Sequence, residues 1–146
     1  MLVIRGGGTL PRTYQFPAHF PPGCPPVDTE LCGEYLHLVP HADRAPRRRD
    51  FFSHYERGLG KDLPESEACS IRGVSIHTNI ADLETILKLY PKMAERCVIK
   101  VNLPGGHGVV RHTPSDEGGP THHDWWIPTG VNPCSYFDGH VSGPYP

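Results

Sequence analysis

Residues 72–103, RGVSIHTNIADLETILKLYPKMAERCVIKVNL, read as strand, helix, strand, and the rest of the chain has to be arranged around that unit. Val74 and Ile76 alternate with polar neighbours, the period of a half-buried strand. Thr78 or Asn79 supplies a cap, Asp82 stands in the first helical turn, and Ile80, Leu83, Ile86, Leu87 and Tyr90 share one helical face. Pro91 has no N–H to give and closes the helix. Cys97, Ile99, Val101 and Leu103 then alternate with Val98, Lys100 and Asn102, a second strand. The expected architecture is α+β: a single domain with a central mixed or antiparallel sheet of about five or six short strands, one main helix over about 79–90, and long Pro/Gly-rich loops. Were the strands at Val74 and Val98 parallel neighbours, the crossover between them would be right-handed.

The loops follow from composition. Seventeen prolines and sixteen glycines in 146 residues exceed the usual share, prolines about twofold. A length of 146 residues suits one domain, here divided into a Pro-rich N-terminal arm (1–33) and a single α+β domain (34–146). In the arm, Tyr14, Phe16 and Phe20 interleave with six prolines, so it is held to the body by rings instead of a hydrogen-bond ladder, with a protein partner as the sharper use of it. Leu2 to Ile4 suits a short edge strand. The formal charge of −2 attracts neither nucleic acid nor anionic membranes, apart from local contacts at Arg44, Arg47, Arg48 and Arg49. No apolar run approaches the roughly 18 residues of a membrane span. Five widely spaced cysteines without a C-x-x-C indicate neither a zinc knuckle nor a full disulfide framework, so mostly free, reduced thiols and a cytoplasmic location are expected, and with only four residues before Gly6-Gly7-Gly8 no signal peptide is expected.

The remaining elements fall in order. Glu34–Val39 (EYLHLV) is a strand ended by Pro40, and Asp50–Gly58 is a short helical segment with Gly58 at its end. Val109–His112 is a strand. Residues 115–121 (SDEGGPT) form a flexible loop by composition, leading to His122-His123-Asp124-Trp125-Trp126, where alternation puts Asp124 and Trp126 on one face with His123 and Trp125 on the other. The tail from Thr129 is rich in turn residues, anchored by Tyr136 and Phe137.

Several chemistries lack their patterns. There is no H-E-x-x-H, no G-x-S-x-G elbow and no phosphate loop of the G-x-x-x-x-G-K-[ST] type. Cys24 has no local context that would lower its thiol pKa. The histidines read mostly as surface or hydrogen-bonded residues. A three-ligand metal site from His107, His112 and His122 or His123 stays open as a metal-dependent hydrolase, although no metal is assigned.

In order, a histidine strand (EYLHLV), a basic helical segment with aromatics (RDFFSHYERG), a strand with serine (GVSIHT), a helix, a second strand (CVIKVNLP) and an acid beside aromatics (HHDWWIPTG) resemble the small mono-ADP-ribosyltransferase fold over roughly Glu34 to Gly130. The resemblance implies NAD as substrate, cleaved at the nicotinamide–ribose bond through an oxocarbenium-like state by a toxin or effector of bacterial type. It implies cofactor contacts from His37, Ser75, Trp125 and Trp126, and catalytic roles for Asp124, Tyr55 and His123. Asp124 stands where that family has a glutamate and is one methylene shorter; the nearest glutamate, Glu117, lies in the glycine-rich loop. The contrasting expectation is a non-enzymatic interaction module of immunity or antitoxin type, using the Pro-rich arm and the tryptophan pair. An enzyme needs His37, Ser75 and Asp124 around one pocket; a binding module can scatter them.

Overall fold

A computed structural model of the chain describes residues 14–26, 32–41, 43–93 and 95–141. They form β1 (Gly33–Val39), β2 (Val74–His77), α1 (Ile80–Leu89), β3 (Cys97–Leu103), β4 (Val109–His112), β5 (His122–Trp126) and β6 (Phe137–Val141), with short 3-10 turns between. The strands make one sheet in the order β4-β5-β2-β1-β3-β6, and every pairing is antiparallel. This is a small α+β domain. β2 and β3 are not neighbours, because β1 lies between them and is antiparallel to both, so the crossover rule for adjacent parallel strands does not apply.

One face of the sheet is the hydrophobic core. Tyr35 and Val39, Val74 and Ile76, Cys97, Ile99, Val101 and Leu103, Val110 and Trp125 all point there, and Phe51 and Ile127 close over them. Cys97 behaves as the small hydrophobe its phase suggests, its thiol reaching the Val39 carbonyl. The tail contributes more than turns. Pro133–Tyr136 forms a 3-10 turn whose Tyr136 packs on the core, and β6 adds an edge strand to β3. Its Asp-Gly centre obscured that strand in the sequence.

In α1, Asn79 is the cap, its side chain accepting from the Ala81 N–H at 2.9 Å. Leu83 is fully buried, whereas Tyr90 is 42% exposed: the helix ends at Leu89, before Tyr90 comes round to the inner face. Asp82 and Glu84 are buried instead. Asp82 is there to bind a loop, as described below.

Within the arm Tyr14 meets Phe16 edge-on and Phe16 stacks on Phe20. To the body the arm is held by His19 stacked on Tyr55 and by hydrogen bonds from Arg72 Nε to the His19 carbonyl and from the Thr129 N–H to that of Gln15. It is also fastened covalently. Cys24 and Cys69 form a disulfide, while Cys32, Cys97 and Cys134 are free, so most thiols are unpaired as expected and the one bond corrects the default of fully reduced cysteines. A sequence separation of 45 residues between the partners hid the pair, since only tertiary structure brings them together. No described helix is long and apolar enough to cross a membrane. The Leu2–Ile4 strand lies outside the described residues.

Candidate functional site

The antiparallel β2–β5 ladder sets the site. Ser75 is opposite Asp124 and His77 is opposite His122. All four side chains therefore project from the face opposite the core. Trp126 shares that face and Trp125 the other, as alternation required.

On this face a chain of hydrogen bonds runs through His122. Its Nε2 lies 2.9 Å from Ser75 Oγ. Its Nδ1 lies 2.9 Å from the Thr113 carbonyl oxygen and 3.0 Å from Thr113 Oγ1. A carbonyl can only accept, so Nδ1 carries the proton and Nε2 is free to accept from the serine hydroxyl. The Thr113 hydroxyl also favours the charged form of Asp124, and Ser70 Oγ donates to Asp124 Oδ2 at 3.5 Å. Burial raises the pKa of Asp124, opposed by His122 and by the Thr113 and Ser70 hydroxyls. Gly73 seals the acid from above: a Cβ there would stand 2.9 Å from Asp124 Cβ. Ser75, Thr113 and His122 remain only half-buried.

Beside this chain, His77 stacks edge-on against His122 at 5.2 Å and meets the Gly118 carbonyl oxygen at 2.7 Å through Nε2. Its Nδ1 is buried with no hydrogen-bond partner among the described residues, and burial lowers its pKa to about 4.

The other expected residues lie elsewhere. His37 points into the core, its Nδ1 2.9 Å from the Ser75 carbonyl oxygen and Nε2 2.7 Å from that of Asp50, with its ring stacked on Phe51. Both nitrogens are taken by main chain, so the imidazole ties β1 to β2 and to the Arg48–Phe51 turn. Burial lowers its pKa, against the two carbonyls. Trp125 is 0% and Trp126 2% exposed, and their indole N–H groups donate to the carbonyls of His107 and Cys69. Neither ring is free to stack on nicotinamide or to form a protein interface. Tyr55 carries the Arg72 guanidinium 3.8 Å from its ring centre and stacks on His19, joining body to arm. His123 faces the core side, edge-on to Tyr35. Of the seven expected residues, then, Ser75 and Asp124 converge, Trp126 shares their face but is buried against the Cys69 carbonyl, and His37, Tyr55, His123 and Trp125 lie elsewhere.

His107, His112 and the His122/His123 pair do not assemble either. His107 turns back to the Pro104 carbonyl, His112 tilts against His123, and among the described residues no three His, Cys, Asp or Glu side chains are grouped to hold a metal. The expectation missed His122 and Thr113 as members of the site. The H-x-D spacing of His122 and Asp124 placed them on one face of a strand; that Ser75 lies opposite required the strand order. No protein-family model, curated protein or solved structure matches the chain.

Proposed function

We propose that this protein is a serine-nucleophile enzyme of the acyl-transfer type, acting on an ester, thioester or amide. The observation that carries the reading is the 2.9 Å contact between Ser75 Oγ and a His122 Nε2 whose tautomer is set from the other side by Thr113. A hydroxyl is a weak nucleophile until a positioned base takes its proton, and the base works only if a third group orients it. Ser75 Oγ attacks the carbonyl carbon, its proton passes to His122 Nε2, and that proton leaves with the departing alcohol, thiol or amine; water, deprotonated in turn by His122, releases the acyl group. Asp124 is a positioning residue, acting on His122 directly and through Thr113. The logic is that of the serine–histidine–acid triad with a hydroxyl inserted. The Cys24–Cys69 bond supports an oxidising compartment for this enzyme in place of the cytoplasm.

A second reading, glycosyl transfer from NAD, is favoured by the direct opposition of Ser75 and Asp124, which would give an oxocarbenium-like ribose a carboxylate and a hydroxyl on one surface. One set of samples separates the two. The wild-type protein is treated with a fluorophosphonate probe and, separately, with NAD. Phosphonylation mapped by mass spectrometry to the Ser75 peptide and absent in His122→Ala supports the first reading. Nicotinamide release that survives His122→Ala and disappears in Asp124→Ala supports the second and displaces the first.

A further inference from the structure

We infer that residues 115–121 form a lid over Ser75, latched by three histidines. The inference rests on Ser75 being the reactive group, but the latch is read from its own contacts. His77, His112 and His123 meet the carbonyl oxygens of Gly118, Pro120 and Thr121 at 2.7 Å each, while His122 stays on Thr113 at the lid's fixed end. From α1, Asp82 Oδ2 accepts from the Thr121 N–H at 2.8 Å and from its hydroxyl at 2.6 Å. Thr121 Oγ1 in turn accepts from the Asn79 N–H at 3.2 Å.

Between these ties the loop closes on itself. Gly119 N–H donates to the Ser115 carbonyl at 2.8 Å and Gly118 N–H to Ser115 Oγ at 2.8 Å, so residues 115–119 are a compact unit that can move as one body. That unit sits on the catalytic ring: a Cβ on Gly118 would fall 2.8 Å from the His122 ring, and one on Gly119, at φ +92°, 2.5 Å from Asp82 Cγ. An acyl substrate reaching Ser75 from the loop side must displace Gly118 from His122.

The latch is sensitive to acid because of how its rings are paired. His77 and His122 centroids are 5.2 Å apart and those of His112 and His123 are 4.9 Å apart. Each ring of the latch donates one N–H to the loop when neutral; a second proton sets like charges against each other within each pair. On His77 that proton would fall on the buried Nδ1. The charged and titratable groups about the latch are Asp82 of α1, His37 of β1, Arg111 of β4 opposite Asp124 of β5 and, in the loop itself, Asp116 and Glu117, with Glu67 beyond Asp124. The Thr121 backbone and side chain already use Asp82, and Asp124 accepts from Ser70. Asp82 favours a charged His77 and Asp124 attracts a charged His122, so the two carboxylates partly offset the repulsion within that pair.

The test follows backbone amide hydrogen exchange of the whole chain at pH 7.5 and pH 5, corrected for intrinsic rates, together with the rate of fluorophosphonate labelling of Ser75. Protection of Gly119 and Thr121 is expected to fall at least tenfold at pH 5 while β3 keeps its protection. Asp82→Ala, or Thr121→Val if the first variant folds poorly, is expected to give the same loosening at pH 7.5 and to speed labelling at least threefold. Loop protection unchanged by pH and by either variant overturns the latch. Loosening with no labelling under any condition upholds the latch and overturns the reactive-serine reading, so the two failures are distinct.

Discussion

Ser75 and Asp124 face each other across β2 and β5, and His122 shares their face, its Nε2 2.9 Å from Ser75 Oγ and its Nδ1 3.0 Å from Thr113 Oγ1, a hydroxyl that favours the charged acid. The serine's hydroxyl is committed to His122, and charge on Asp124 acts on that imidazole directly as well as through the Thr113 hydroxyl. This arrangement makes the contributions separable by substitution.

Removing the base should cost the most. Ser75→Ala and His122→Ala are each expected to lower kcat on an activated ester by about 100- to 10,000-fold, the usual range for a positioned base, with Tm nearly unchanged because both side chains are half-buried. Thr113→Val should act differently: it keeps the carbonyl that fixes the tautomer but cuts the hydroxyl link to Asp124, so kcat falls less and its pH dependence shifts toward that of a less assisted imidazole. A Thr113→Val profile identical to wild type would remove the Thr113 hydroxyl from the site.

His37 is expected to be structural. Truncation to Ala would leave the carbonyls of Ser75 and Asp50 without their ring partners and a void against Phe51. The cost should be about 2–4 kcal/mol from lost packing and unsatisfied acceptors together. Chemical denaturation reads this directly, and KM for a small ester should not move. A KM effect with full stability would return His37 to a ligand-binding role.

How much of this could be read from the chain depends on distance in sequence. Capping by Asn79, the Pro91 stop, the two-residue period of β3 and the split of Asp124 and Trp126 from His123 and Trp125 are local, and all appear in the fold. The placement of β1 between β2 and β3 is not local, and it turned His37 inward. Loop 115–121 shows the same limit. Its Ser, Gly and Pro content reads as flexible because composition records what the backbone can do, not that Asp82, about 40 residues earlier, and His77 will bind it. The cysteine pair was hidden for the same reason.

Thiol counting checks that pair. Under non-reducing denaturation three thiols are expected, and five after reduction, since Cys24 and Cys69 are joined. Cross-linking residues 45 apart restricts the unfolded chain by up to about 4 kcal/mol in the chain-entropy account. Cys24→Ser/Cys69→Ser should therefore lower Tm markedly and free residues 14–26 to proteolysis. Five thiols in the unreduced protein would refute the bond.

The last expectation concerns acid and His77. Its pKa in the folded protein is lowered from 6.5 to about 4, chiefly by burial, with the Gly118 carbonyl pulling the other way. Between these values the unfolded chain binds the proton and the folded chain does not, so stability rises with pH across that window. Stability from this residue is complete above pH 6.5, falls as the pH drops, and is gone near pH 4, a loss of up to about 3 kcal/mol if His77 acts alone. His123, also lowered by burial, adds in the same direction; Asp124, raised by burial, opposes them, because its folded form takes up a proton before the unfolded one does. His77→Asn keeps a donor near Gly118 but cannot take the charge, so its unfolding free energy should vary less between pH 7 and 4.5 than that of the wild type. Urea titrations at three pH values measure the difference. Parallel pH dependence in the two proteins would assign the acid lability to another group and remove His77 from the latch's acid response.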